Sequence, residues 1–379
     1  MKRLSFTYFM YFGQLGVLVP YLGIFLDGRG FGSAEIGELF ALITLARILG
    51  PLLWANLADK SGKTLWVLQL GCGLTLISFL GIFWASGFWW LSLTMGLMMM
   101  FWTAVLPQLE VITLKQTHTH NISYGKVRLW GSIGFIGLTV LTGQLLDYWG
   151  SEIPVYVSVG VLSLLFLSTL LISHTDNHCA EKRGSSSAQW RLVAQPVFLV
   201  FLLSATLLQV SFGTYYGFFA LYMRDLGYSG QITGLMIALG VCAEIVIFLM
   251  SARLIRGYGV KWVLVISIVL TAVRWYLLGY HVDYLVIIGL AQLLHAFSFG
   301  LTHAASVYFI HHYFEPSFQS RGQAIYISLA FGLGGALGNW IAGNTWEQGV
   351  GALDAFAFST FAALLGALVL LPIRRRRFE

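Results

Sequence analysis

The chain has 379 residues, of which 58% are hydrophobic and 10% charged, with a mean hydropathy of +0.78. So little polar surface cannot cover a soluble domain of this length, which excludes a soluble enzyme or binding module and indicates a multi-pass membrane protein. The net charge of +6 gives no support to nucleic-acid binding, because its distribution has another explanation, given below.

Apolar runs of about 20 residues, enough to cross about 30 Å of hydrocarbon as helix, are expected near 5-27, 34-57, 64-86, 88-112, 124-147, 153-173, 195-223, 231-254, 262-280, 284-312, 320-344 and 352-373. Lys2 and Arg3 look like the start of a secretory leader, but the following run is long and has no small-residue cleavage site, so an uncleaved first helix is expected. With both termini in the cytoplasm, 18 of the 22 Lys and Arg fall on the inside. That asymmetry sets the orientation. Cys72, Cys179 and Cys242 are few and scattered, implying neither a disulfide framework nor a metal site.

The first run carries Gln14, Pro20 and Tyr21, and the proline is accounted for by a packing kink. The second opens at Ser33, a candidate N-cap, and holds Arg47 in mid-span. The fourth is rich in Met and aromatic residues suited to filling gaps between helices, then reaches Pro107 and Glu110. A polar turn is expected from Lys115 to Ser123, followed by Tyr124-Gly-Lys-Val-Arg-Leu-Trp-Gly-Ser-Ile-Gly-Phe-Ile-Gly137. Arg128 stands 18 positions after Glu110, so the turn brings acid and base to a similar depth. Ionisable groups there are costly to bury and mark a candidate site. Gly131, Gly134 and Gly137 recur every third residue, a smooth face on which another helix can lie.

Shifting the sequence by 197 residues lays Gly30 on Gly227, Gly37 on Gly234, Gly62 on Gly259, Gly125 on Gly322 and Gly137 on Gly334. One offset holding over several helices indicates six helices used twice. Two bundles are expected, 1-173 and 195-379, joined by a polar cytoplasmic linker at 174-194. The charges do not follow the repeat: Arg47 falls on Glu244, Glu110 on Val307 and Arg128 on Ile325.

Parallel six-helix halves are the architecture of major facilitator transporters, whose substrate site lies between the halves. The stretch Ala55-Asn-Leu-Ala-Asp59-Lys60-Ser-Gly62-Lys63 resembles the cytoplasmic loop signature of that superfamily, with Ala55 in place of its first glycine. The resemblance implies gate roles for Asp59, Lys60, Gly62 and Lys63. The spacing from Glu110 to Arg128 is similar to the fourth and fifth helices of lactose permease, where the matching acid and arginine contact substrate. Closer still is the phenylpropionate permease branch, through Tyr124 to Gly131, Tyr215-Tyr216-Gly217-Phe218, Ala243-Glu244, Val273-Arg274-Trp275, and His295 with His303. The chain departs from lactose permease at Gln292 and Ser298, where a lysine and a proton-carrying glutamate would stand.

The fold implied is an all-α membrane protein of twelve transmembrane helices in two pseudo-symmetric bundles. The function implied is proton-coupled uptake of a small organic solute, such as an aromatic carboxylate, by alternating access. A sugar or nucleoside symporter and an efflux antiporter are the alternatives within the class. A membrane-embedded enzyme is the rival outside it, without support from any His-Glu-x-x-His, Gly-x-Ser-x-Gly or Cys-x-x-Cys motif. Substrate contacts are expected from Glu110, Arg128, Arg47, Arg274, Tyr215 and Tyr216, with Tyr21, Phe25, Phe218 and Trp275 as further aromatic surface. Three buried arginines against Glu110 and Glu244 leave one positive charge for an anionic substrate. Glu244 is the first candidate to carry the proton and His295 the second, while His303 is expected to be structural. The expected energy source is a proton gradient, with no cofactor. The expected setting is a bacterial cytoplasmic membrane, in which the chain works as a monomer.

Overall fold

The computed structural model describes residues 1–84, 87–120, 123–173, 187–374 and 378, and the regular structure of these residues is helical throughout. Eleven helices among them are long and apolar enough to cross a membrane, starting with Lys2–Gly28 and ending with Ala352–Leu370. A further 29-residue helix, Ser33–Ser61, has the length to cross and a more charged sequence. Together these follow the twelve expected runs in place and order.

The chain divides into two compact units, Met1–Glu181 with Phe219–Leu235, and Lys182–Phe218 with Met236–Glu379. Of the linker expected at 174-194, residues 174–186, and with them Cys179, lie outside the described residues. The rest begins as a short helix.

Seven helices fall wholly in the first unit: α1 (Lys2–Gly28), α2 (Ser33–Ser61), α3 (Thr64–Leu80), α4 (Phe88–Trp102), α5 (Val105–Thr119), α6 (Tyr124–Trp149) and α7 (Ile153–Leu170). α1 packs on α6 and α7, and α3 packs on α4, α5 and α7. Then come α8 (Ser187–Val193), α9 (Pro196–Ser211), α10 (Gly213–Asp225), α11 (Gly230–Tyr258), α12 (Val260–Tyr280), α13 (Leu285–Leu293), α14 (Thr302–Tyr313), α15 (Gln319–Tyr326), α16 (Gly335–Trp346) and α17 (Ala352–Leu370). In the second unit α17 lies against both α9 and α12.

Several local expectations are corrected. Pro107 cannot donate to the carbonyl of Thr103 and its ring crowds that group, so the fourth run breaks there into α4 and α5. The turn expected from Lys115 is shorter, because nothing in Lys115 to Thr119 stops α5 before His120. The N-cap of α2 is Gly32 instead of Ser33, with the Glu35 carboxylate accepting from the Gly32 N–H at 2.9 Å. Of the three spaced glycines, two face α1: a side chain on Gly134 would run into the Phe9 carbonyl, and one on Gly131 would meet the Phe12 ring at 2.6 Å. Gly137 has nothing within 4 Å. A rotation of 100° per residue carries the third position off the contact face.

The duplication is visible in backbone detail. The N–H of Phe31 bonds the carbonyl of Leu26 at 3.1 Å, and that of Tyr228 bonds the carbonyl of Met223 at 2.9 Å, with 197 positions separating the two bonds. Between them Gly30 and Gly227 take φ of 86° and 82°, a left-handed helix ending that favours glycine. Two wide π turns, at Ala296–Leu301 and Ile327–Gly334, were not foreseen. The first starts immediately after His295, and such turns recur at functional sites.

Candidate functional site

Arg274 of α12 is fully buried. Its guanidinium carbon lies 4.2 Å from the ring centre of Tyr215 and 4.4 Å from that of Trp275. Nη1 donates to Nδ1 of His295 at 3.0 Å, and Nη2 donates to Oε1 of Gln292 at 3.2 Å. The same Gln292 oxygen accepts from the Tyr215 hydroxyl at 2.8 Å. Because a guanidinium can only donate, His295 must accept at Nδ1, and in the neutral ring the hydrogen then sits on Nε2. That nitrogen is 3.6 Å from Oε2 of Glu244.

The local sequence explains why these groups meet. Gln292, near the end of α13, and His295, two residues past it, are three apart in backbone that stays helical, which puts both on one face. Glu244 comes from α11, which can approach because two glycines lie in the contact. A side chain at Gly240 would press on the Gln292 carbonyl and on Cβ of His295, each at 3.3 Å, and one at Gly300 would touch Cγ of Glu244 at 2.9 Å. The wide turn after His295 also lines up residues four apart. Phe299 stacks between His295 and His303, with centroids 5.9 Å from each. His303 is thereby held in an aromatic stack that Phe331 completes edge-on.

In the first unit the charges are arranged differently. Glu110 and Arg128 are both half-buried, and they do not form an ion pair with each other among the described residues. The Tyr124 hydroxyl donates to Oε1 of Glu110 at 3.3 Å. Arg128 lies over the Phe12 ring, 3.7 Å from its centre, with Tyr8 at 5.9 Å. Buried Tyr11 stacks on Trp102 at 4.3 Å. Arg47, expected to be a buried arginine, is instead exposed on α2.

Of the aromatic residues, Tyr215 belongs to the Arg274 group, and Tyr216 stacks on Phe212 at 5.3 Å. Others named as substrate surface are used inside the fold. Tyr21 donates to the Thr139 carbonyl at 2.8 Å, Phe218 stacks on Trp346 at 5.0 Å, and Trp275 donates to Oγ of Ser211 at 3.0 Å. Phe25 is fully buried with Arg29 over its ring at 4.5 Å. Gly62 ends α2 at φ 64°, and exposed Lys60 and Lys63 flank it; the side chain of Asp59 lies outside what the structure describes. Gly62 is 15 residues beyond Arg47, about 20 Å along the helix.

Gln292 was read from the sequence only as a departure from lactose permease. An amide in the apolar run of α13 was the available signal. The aromatic bed of Arg128, Tyr8 and Phe12, gave none, because α1 is rich in such residues.

The MFS_1 like family model matches residues 1–358. The chain belongs to that family, within the major facilitator superfamily. Among curated relatives, it is 32% identical over 339 residues to the "Probable 3-phenylpropionic acid transporter" of Escherichia coli, covering 87% of each chain. It is also 26% identical to the maltose permease of Geobacillus stearothermophilus, over 97% of this chain and 93% of that one. A variant of the nucleoside transporter NupG has the same fold, with a TM-score of 0.88 over 98% of both chains at 17% identity. This member of the family is a multi-pass membrane transporter for small molecules, not an enzyme.

Proposed function

We propose that the chain takes up a small organic anion of the aromatic carboxylate class together with protons. The two six-helix halves, 1-173 and 195-379, alternate access in a bacterial cytoplasmic membrane with both termini inside, and the chain works as a monomer. The observation that carries this reading is Arg274: a fully buried guanidinium whose neighbours His295, Gln292 and Tyr215 carry no negative charge. A buried cation without a counter-ion is costly, and an anionic substrate supplies the missing charge. The ring of Tyr215 gives the apolar part of an aromatic acid a surface to lie on. The 32% identical relative, a probable 3-phenylpropionic acid transporter, points to the same class.

In this reading His295 and Glu244 are the proton-carrying pair. Glu110, Arg128 and Arg47 supply the contacts of the first half, and Asp59, Lys60, Gly62 and Lys63 form part of the inner gate. The test uses purified protein in liposomes with a proton gradient directed inward. Labelled 3-phenylpropionate should accumulate and lose its accumulation when a protonophore is added. Accumulation of maltose or a nucleoside in its place would remove the anion reading. Accumulation of the acid unaffected by protonophore would remove proton coupling.

A further inference from the structure

Among the described residues, two buried donors of the Arg274 group have no hydrogen-bond partner: Nε of Arg274 and the Nε2 amide of Gln292, both on side chains with no exposed surface. The Gln292 amide cannot be flipped to cure this. Its oxygen already accepts from Arg274 Nη2, which can only donate, and from the Tyr215 hydroxyl. The orphan amide hydrogens are therefore a consequence of the arrangement. Buried N–H groups are nearly always paired, and leaving them unpaired costs more than the bond itself is worth. Both orphans belong to side chains joined by one hydrogen bond, and both can only donate. A ligand group that satisfies them must be an acceptor, and beside a guanidinium it is best an anionic one.

We infer that Gln292 is a substrate-specificity residue: its Nε2 amide and Nε of Arg274 bind one carboxylate of the transported solute. This rests on the anion reading above and narrows it to named donors. Gln292 also explains why an amide stands here. A lysine would add a second buried cation beside Arg274. A glutamate would pair with Arg274 internally and compete with the carboxylate.

The test compares 3-phenylpropionate with its neutral amide, 3-phenylpropionamide, by direct binding to purified wild type, Gln292→Leu and Gln292→Glu. Wild type should prefer the acid. Gln292→Leu should lose about tenfold or more of acid affinity, the ordinary worth of a hydrogen bond to a charged group, with the amide little changed. Gln292→Glu keeps the shape and a partner for Arg274, so it guards against simple misfolding; it should reverse the preference. An unchanged acid-to-amide ratio in either folded variant overturns the role of Gln292 and leaves the anion reading standing. If wild type prefers the neutral amide, both fall together.

Discussion

Nε2 of His295 faces Oε2 of Glu244 across 3.6 Å, while Nδ1 of the same ring accepts from Arg274. One imidazole thus joins the buried cation to the half-buried carboxylate. The Arg274 bond fixes which nitrogen of the neutral ring carries the hydrogen, and that nitrogen is the one 3.6 Å from the acid. A proton arriving on Glu244 weakens its attraction for the ring, and a carboxylate arriving at Arg274 competes with the ring for the guanidinium. In the proposed cycle, proton and anion would act on two ends of the same short chain of groups.

Glu244→Gln keeps the size and a hydrogen-bond acceptor but removes the titrating group. Exchange of internal for external 3-phenylpropionate should persist, while accumulation against a gradient is lost. Substrate-induced alkalinisation, read with a trapped pH dye, should disappear. Unchanged alkalinisation would take the proton role away from Glu244.

Arg128 tests the other cluster. Its guanidinium is held face-on to Phe12 at 3.7 Å, a planar contact that an ammonium reproduces poorly. Arg128→Lys should therefore impair uptake even though the charge is kept, and Arg128→Ala should abolish it with membrane insertion intact. Uptake by Arg128→Lys at the wild-type rate would show that charge alone matters at this position.

The course of the helices could be read from the sequence because hydrocarbon thickness fixes how long an apolar run must be, and the 197-residue offset marked the repeat. The turn glycines at 30 and 227 were legible for a physical reason, since both adopt a backbone that side chains disfavour. The charged residues of α11 and α12 and the His295 position also stood out, because ionisable groups are rare in apolar helices. What joins them did not. The contact of Glu244 with His295 depends on Gly240 and Gly300 on different helices, and a one-chain pattern cannot show which glycines oppose each other. The wide turn after His295 has no distinctive residue, and the Glu110–Arg128 spacing was compatible with an ion pair that Tyr124 and Phe12 replace.

Gly134 and Gly137 form a matched pair for testing helix contact. A methyl on Gly134 would meet the Phe9 backbone, which cannot rotate away, whereas one on Gly137 meets nothing within 4 Å. Gly134→Ala should destabilise the protein by about 1–3 kcal/mol through overpacking and lower its melting temperature in detergent. Gly137→Ala should leave it unchanged or slightly raised, because alanine suits a helix better. Equal effects at both positions would contradict the α1–α6 contact described here.

Asp147, near the end of α6, provides the last test. Its Oδ1 accepts from the Gly230 N–H at 2.6 Å and its Oδ2 from the Gln231 N–H at 3.0 Å, so one carboxylate caps the start of the 29-residue helix α11. The first N–H groups of a helix have no partner within it and carry the positive end of its dipole. Tyr21 and the close approach of Gly143 to Gly230 hold the same ends together. Asp147→Ala should speed amide hydrogen exchange at Gly230 and Gln231 by about tenfold or more, the scale of a lost bond to a charged group. Ile232, whose N–H bonds Oγ of Ser229 at 3.2 Å, should change less. Asp147→Asn, with one carbonyl oxygen left, should fall between. A uniform rise across α11 would mean that the whole helix had loosened and that Asp147 does more than cap it.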